Sequence, residues 1–419
     1  MSRYKLYAVD AGRSIIVRLT TGARSPGLLP TFTGRSMRFL VTAFLLLTLP
    51  ASSGLGGLLR AQAPPANPRL LPDISLVGDL IFDLSRRGST QEDGSRFGVR
   101  EIELQLVAPV DPYFRGDVLL AYSDAEGVAV EQALLATTAL PWHLEVTLGR
   151  FFLPIGKQNL MHRESLHTIE YPWVLQRFLS PEALKGTGIQ VSRVFAPLGF
   201  YQELLLTATD RFGGGEEEDL VVEQPANQAL AGLGYGARLR NYWDLTPNAN
   251  IEVSGSFATG KGPQPLAGEG EINAANARRT LVGADVTYRW RPLGQGLYKS
   301  IIVQAEWYRS MHERSPALPE GFSAEDFLGP TRAFSGGYLF ARYQLTRRTY
   351  LGARGDLLQD PETDGRMQRA ASAYWQFYPS EFSKLLLGFE RVMPQDDDPY
   401  HRLILQAVFA IGPHRPHPF

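Results

Sequence analysis

The sequence predicts an all-β fold, a transmembrane antiparallel β-barrel of about 16 strands without a plug domain. Apolar and polar residues alternate over many segments of about nine to twelve residues, the length that a tilted strand needs to cross a bilayer. Aromatic residues gather near the segment ends, as at Trp243 and Trp290, where membrane interfaces favour them. The polar faces carry charges at mid-segment, as at Arg238 and Glu306, which a water-filled lumen accepts and a soluble core rejects.

Bulk composition excludes several classes of protein. The chain has 419 residues and a formal net charge of −1, which argues against a partner nucleic acid. It has no cysteine, so thiolate metal sites and cysteine nucleophiles are excluded. A chain without cysteine is compatible with export through an oxidising compartment.

The N-terminal part has the pattern of an export signal. Met37 and Arg38 precede an apolar run over residues 39–49, and Ala61-Gln62-Ala63 offers a small-residue cleavage site. The sequence therefore predicts a signal peptide over 37–63 and a short periplasmic lead over 64–72. We interpret residues 1–36 as an extension upstream of the true start, the alternative being an unusually long basic region of the signal.

The barrel is predicted over 73–419, with both termini on the periplasmic side. The lead is too short for a folded plug, since independent folding needs about forty residues or more. The weakest patterns are at 128–138 and 349–357. The predicted strands are 73–84, 101–106, 114–122, 128–138, 144–152, 187–195, 200–211, 233–245, 250–259, 280–291, 300–308, 334–345, 349–357, 368–378, 384–392 and 401–411.

Short links rich in turn residues alternate with longer ones, as when one rim of a barrel carries turns and the other carries loops. The insert near 157–185 is the longest link without clear strand character. An insert of this length is a lid, a binding loop or a disordered flap. In a barrel it is the third loop on the long-loop rim, and we expect it to be a constriction.

Charged side chains on the insert and the walls are the candidate pore-lining residues. The insert leans basic, so the sequence predicts a weak preference for anions. The alternative is that these arginines form structural ion pairs with facing acids. The candidates are Lys157, His162, Arg163, Arg177 and Lys185 on the insert, Arg150, Arg115, Arg238 and Arg240 on the walls, and the acids Glu103, Asp117 and Glu306.

The last strand alternates through Leu403, Leu405 and Phe409, and the chain ends in Phe419. It resembles the closing strand of bacterial outer-membrane barrels. That resemblance implies an outer-membrane location, contacts with lipid and lipopolysaccharide, and recognition by the barrel-assembly machinery through the C-terminal strand and Phe419.

The blocks Gly149-Arg150-Phe151 and Pro154-Ile155-Gly156 look like the lead into the constriction loop of the phosphate-selective porin O/P group. Gly186-Thr187-Gly188 resembles that group's re-entry strand. The resemblance implies a channel for small ions or solutes and a possible homotrimer. The group's phosphate site depends on rows of arginine and lysine, whereas the charges here are mixed.

Other chemistry has weaker support. His162 and His167 with Glu164 and Glu170 have a spacing that suits polar lining better than a zinc site. No G-x-S-x-G motif is present, and no enzyme, metal or cofactor is predicted. The expected function is a porin for passive diffusion of small hydrophilic solutes. The alternatives are a non-conducting barrel for adhesion or assembly, a phosphate-specific or metal-related uptake channel, and a soluble secreted β-protein.

Overall fold

The computed structural model describes residues 72–90, 96–123, 127–210, 212, 233–261, 278–312, 332–363 and 365–412. These residues form sixteen strands in one sheet. The predicted signal peptide over 37–63, residues 1–36 and Phe419 lie outside the described residues. The strands are β1 Asp73–Asp83, β2 Phe97–Pro109, β3 Phe114–Ser123, β4 Gly127–Thr137, β5 Leu144–Phe152, β6 Lys185–Phe195, β7 Tyr201–Thr209, β8 Gly234–Thr246, β9 Ala249–Lys261, β10 Arg278–Trp290, β11 Ile301–His312, β12 Arg332–Gln344, β13 Thr349–Asp360, β14 Arg366–Ser380, β15 Ser383–Pro394 and β16 Tyr400–Ile411.

The sheet closes on itself. Each strand pairs antiparallel with the next, and β1 pairs with β16, from Leu76 opposite Ile411 to Asp83 opposite Ile404. Closure leaves no edge strand, so the backbone of the wall is satisfied within the sheet, as a membrane crossing requires. The predicted all-β class and strand number are confirmed, including the two weakest patterns, which form β4 and β13.

The two faces of the wall differ in polarity. Leucines and aromatics such as Leu339, Leu357 and Phe389 are exposed on the outside. Polar side chains such as Asp285 and Gln304 alternate with outward residues and are buried on the inside. An apolar exterior around a polar interior suits a barrel surrounded by lipid, so the structure supports the expected place in the bacterial outer membrane. Among the described residues, no helix is long and apolar enough to cross a bilayer.

Connections alternate between two rims. The turn rim joins β2 to β3, β4 to β5, β6 to β7 and so on to β14 and β15, and the loop rim joins the remaining neighbours. The connection between β5 and β6, residues 153–184, is here named the inner loop. It contains helix α1, Trp173–Phe178, and two short 3-10 turns, Gln158–Leu160 and Arg163–Ser165.

The inner loop lies inside the barrel and has its own apolar core. Leu166, Val174 and Phe178 are fully buried, and they belong to one cluster with Leu358 of β13 and Val392 of β15. Side chains of the wall therefore meet the loop through apolar as well as polar contacts. The lumen of this barrel is partly a protein core, which strand alternation alone does not predict.

Candidate functional site in the barrel lumen

Glu306 of β11 holds the start of the inner loop. Its Oε1 accepts hydrogen bonds from the backbone N–H groups of Lys157 at 3.2 Å and Gln158 at 2.9 Å. The same oxygen accepts from the Tyr338 hydroxyl at 2.8 Å and from Nε2 of Gln304 at 3.0 Å. Charge-assisted bonds of this kind are stronger than neutral ones, so this carboxylate is a principal anchor of the loop.

Gly156 explains why the chain can turn so close to this anchor. Its φ is +64°, a left-handed conformation that glycine adopts without strain. A Cβ at this position would overlap the Tyr308 hydroxyl. The chain therefore needs a glycine here to approach β11.

An ion-pair network lies beside this anchor. Nζ of Lys157 contacts Oε2 of Glu252 at 2.8 Å, Arg240 contacts the same carboxylate at 2.9 Å, and Arg238 contacts Asp285 at 3.1 Å. Burial lowers the pKa of Lys157 to about 8, although Glu252 opposes the shift. Three of the predicted basic candidates are thus neutralised by acids of the wall.

The middle of the loop is held by side chains of β12, β14 and β15. Nη1 of Arg342 donates to Nδ1 of His167 at 2.9 Å, and Gln376 donates to the His167 carbonyl. Nζ of Lys384 donates to the Leu166 carbonyl at 3.0 Å. Burial, together with Arg342 and Lys384, lowers the pKa of His167 well below its ordinary value, so its ring is neutral at pH 7.

Helix α1 begins at a third anchor. The backbone N–H of Trp173 donates to Asp356 at 3.1 Å, and its indole N–H donates to Glu390 at 3.3 Å. Arg354 pairs with Asp356 at 2.8 Å, and Arg402 pairs with Glu390 at 2.9 Å. These two arginines pair with the anchoring carboxylates and orient them toward the loop.

A cluster of two acids and one imidazole lies where the second 3-10 turn of the inner loop meets β2. Nδ1 of His162 lies 3.3 Å from Oε1 of Glu103 on β2, and ligand atoms of these two residues and Glu164 all lie within 4.8 Å of one another. All three residues are buried. His167 and Glu170, which the sequence pattern grouped with His162 and Glu164, have other partners in the structure.

The remaining predicted residues are more scattered. Lys185 begins β6 and contacts Glu131 of β4, and Asp117 is buried and accepts a hydrogen bond from Gln105 at 3.1 Å. Arg115 is half-buried on the lumen face of β3. The structure places Arg150 elsewhere: it is exposed and follows the outward Leu148 by two residues, so strand alternation turns it away from the lumen.

Two cavities lie on opposite sides of the inner loop. One, of about 470 Å³, opens at the loop rim between charges of both signs, including Arg177, whose guanidinium lies 3.4 Å from Asp360 and also contacts Glu362. Arg163, another predicted cation of the inner loop, pairs with Glu182 at 2.9 Å.

The second cavity, of about 960 Å³, opens at the turn rim and reaches His167 of the loop. Arginines outnumber carboxylates on its lining. The charged lining residues are Arg289, Arg291, Arg342, Arg347, Arg348, Asp244 and Glu381. Each cavity borders the inner loop, one at Arg177 and the other at His167.

Sequence reasoning named the loop and Glu306 but missed the residues of the third anchor. Trp173, Asp356 and Glu390 were not among the candidates. The signal available was the charge at alternate positions of β13 and β15, where Arg354, Asp356 and Glu390 occupy lumen positions. What the sequence could not show was which loop group each of them meets.

Comparisons with known proteins identify a similar sequence and similar solved structures. No known family profile matches the chain. A protein of Aquifex aeolicus (strain VF5), named only as an uncharacterized protein, is 28% identical over 401 residues, covering 85% of this chain and 82% of the relative. Among solved structures, the trimer form of the outer-membrane protein OmpT of Vibrio cholerae is similar, with a TM-score of 0.52 and 10% identity over 81% of this chain and 99% of that one.

An anion-selective porin from Comamonas acidovorans is similar with a TM-score of 0.50 and 10% identity, over 81% of this chain and 98% of that chain. Identities this low show a shared fold and no narrower kinship. The resemblance to the phosphate-selective porin O/P group stays a prediction. The chain therefore has the sixteen-stranded barrel fold of bacterial outer-membrane porins.

Proposed function

We propose that the protein is a porin-type channel for passive diffusion of small hydrophilic solutes, with a weak preference for anions. The observation that carries this proposal is the arginine-lined cavity at the turn rim, which leads to the inner loop. The inner loop is the constriction. Ion selectivity then depends on the electric field at the entrance to the constriction. It also depends on the charged groups that become exposed when the loop moves.

The charge on this cavity favours anions. Arg347 and Arg348 are exposed at the turn between β12 and β13, and Arg289 lies deeper on β10. Two carboxylates, Asp244 and Glu381, oppose them. A recess with low-dielectric walls concentrates the field of its charges and raises the local concentration of counter-ions. We therefore expect small anions to collect at this entrance.

The site of selection differs from the one that the sequence predicts. With the inner loop in place, Lys157, Arg238 and Arg240 contact acids of the wall, so little of their charge is available to a passing ion. The candidate acids Glu103 and Glu306 are likewise occupied by loop groups. The exposed arginines of the turn rim are the better candidates for attracting anions.

A non-conducting barrel for adhesion or assembly is the second candidate. The observation that favours it is the apolar core of the inner loop, with Leu166, Val174 and Phe178 fully buried inside the barrel. A channel requires this core to shift or leave a path, whereas a static scaffold does not. The similarity to an anion-selective porin favours a channel over an enzyme.

Single-channel recording in planar bilayers tests both candidates. We expect conductance events, and in a salt gradient a reversal potential with the sign of anion preference. Absence of conductance from correctly folded barrels would favour the non-conducting scaffold, and a cation-selective reversal potential would contradict the proposed preference. Added phosphate should compete with chloride no better than sulfate does. Stronger competition by phosphate than by sulfate would indicate a phosphate-specific channel.

The proposed setting has partners outside the chain. We expect lipid and lipopolysaccharide around the apolar exterior, and recognition of β16 by the barrel-assembly machinery, with Phe419 contributing at the terminus. A homotrimer remains a proposal, supported by the trimer form of the similar barrel from Vibrio cholerae. Cross-linking of the purified protein in mild detergent would measure the oligomeric state.

A further inference from the structure

We propose that Glu103, His162 and Glu164, here named the acid–imidazole trio, bind one divalent transition-metal ion of the zinc class. Nδ1 of His162 lies 3.3 Å from Oε1 of Glu103, and one ligand atom from each residue lies within 4.8 Å of the others. All three side chains are buried, with 5 to 8% of each residue exposed. The ion would fasten the inner loop to β2.

The donor set and spacing suit zinc. Zinc binds imidazole nitrogen and carboxylate oxygen at about 2.0–2.2 Å, so two ligand atoms on a tetrahedral ion lie about 3.3 Å apart. The His162–Glu103 separation already has this value. The ligand atom of Glu164 lies within 4.8 Å of the other two, so this carboxylate has to move closer for all three residues to bind one ion. Ions such as calcium and magnesium prefer oxygen-only sites, so the imidazole selects against them.

The chemistry of the trio suits a cation. Two carboxylates and one imidazole converge in a buried place, and each of them offers a ligand atom to a divalent ion. A divalent ion neutralises both carboxylates of the trio and takes the imidazole in its neutral form.

There is also space for a fourth ligand. A small cavity of about 10 Å³ borders Glu103 and His162 and is lined further by Glu101 and Glu131. A space of this size holds about one water molecule, which could complete a tetrahedron. Ser165 donates its hydroxyl to Oε1 of Glu164 at 3.0 Å, the kind of outer contact that orients a metal-binding carboxylate.

The position of the trio gives the ion a structural consequence. Glu103 belongs to the wall, whereas His162 and Glu164 flank the first residue of a 3-10 turn in the inner loop. A bound ion is therefore a cross-link between the wall and the constriction. Zinc should favour the docked loop and lower the time that the channel spends at high conductance.

Binding is tested on the purified full-length barrel in detergent, stripped with EDTA and titrated with zinc chloride in a calorimeter. The background carries His414→Ala and His417→Ala, which removes the H-x-x-H of the terminus. We expect one zinc ion per chain. His162→Ala and Glu103→Gln should each weaken binding by about tenfold or more, because the loss of an outer contact to a ligand already costs about 10–100-fold. His143→Ala, which removes an exposed imidazole at the turn rim, is the matched control.

Heat-modifiable gel mobility establishes that each variant is folded before titration. A second readout is thermal: zinc should raise the unfolding temperature of the background protein and leave that of His162→Ala unchanged. Absence of saturable binding would overturn the proposal, and so would equal affinity in folded His162→Ala. Neither measurement requires ions to cross the barrel, so the outcome is independent of the proposed channel activity.

Discussion

Glu306→Gln should loosen the inner loop while preserving the shape of its anchor. Oε1 of Glu306 accepts from the backbone N–H groups of Lys157 and Gln158, which belong to the loop. A hydrogen bond to an ionised group contributes about 1.5–3 kcal/mol, against about 0.5–1.5 kcal/mol between neutral groups. Weakening each of these two bonds by about 1 kcal/mol destabilises the docked loop by about 2 kcal/mol in total. The ratio of docked to undocked loop then falls about 30-fold.

Amide hydrogen exchange read by mass spectrometry measures this change directly, in peptides that cover residues 157–160. Exchange there should accelerate by about 30-fold, because protection of a locally opening segment reports its opening free energy. Single-channel records should show more frequent excursions to higher conductance. Glu203→Gln is the matched control, since Glu203 pairs with Arg240 at 3.2 Å on the lumen wall. Unchanged exchange in Glu306→Gln, or equal acceleration in both variants, would refute the anchoring role.

Deleting residues 163–177 removes all of helix α1 except Phe178 and part of the loop core, so conductance should rise and ion preference should flatten; unchanged values would place the constriction elsewhere. Raising the pH from about 8 toward about 10 should favour the docked loop and lower conductance. In the docked loop the buried Lys157 has its pKa lowered to about 8, so it releases its proton in this range, whereas an exposed lysine in the undocked loop keeps its proton. Lys157→Met should lose this dependence; if the dependence persists, another group controls it. Reversing the charge at Arg347 with glutamate should shift the reversal potential toward cations, whereas Arg86→Glu, exposed at the loop rim, should shift it less; equal shifts would contradict selection at the turn rim.

The strands were predictable because lipid and lumen impose opposite polarities on alternate residues. Even the weakest patterns, at 128–138 and 349–357, form β4 and β13. The inner loop was predictable as an insert because its length and lack of alternation set it apart. Its bounds differ by a few residues, since the loop begins at Leu153, directly after β5 ends at Phe152, and Lys185 already belongs to β6.

The interior of the loop was not predictable in the same way. A run such as Val174-Leu175 followed by Phe178-Leu179 has helical spacing, yet nothing local shows whether it faces lipid, water or the lumen. The ion pairs depend on which strand lies opposite, a property of the closed ring. The trio is the clearest example: Glu103 is 59 residues from His162, and only the register of the barrel brings them together.

The long reach of the inner loop has a consequence for how the barrel is made. Trp173 meets Asp356 across 183 positions, and the Glu164 carbonyl meets Lys384 across 220. Contacts of such separation form late, because each requires a large loop of chain to close. Until β13 to β16 arrive, the apolar side chains of the inner loop lack much of the wall that covers them. Joining β16 to β1 therefore has to coincide with packing of the loop, and exposed apolar surface before that moment favours aggregation.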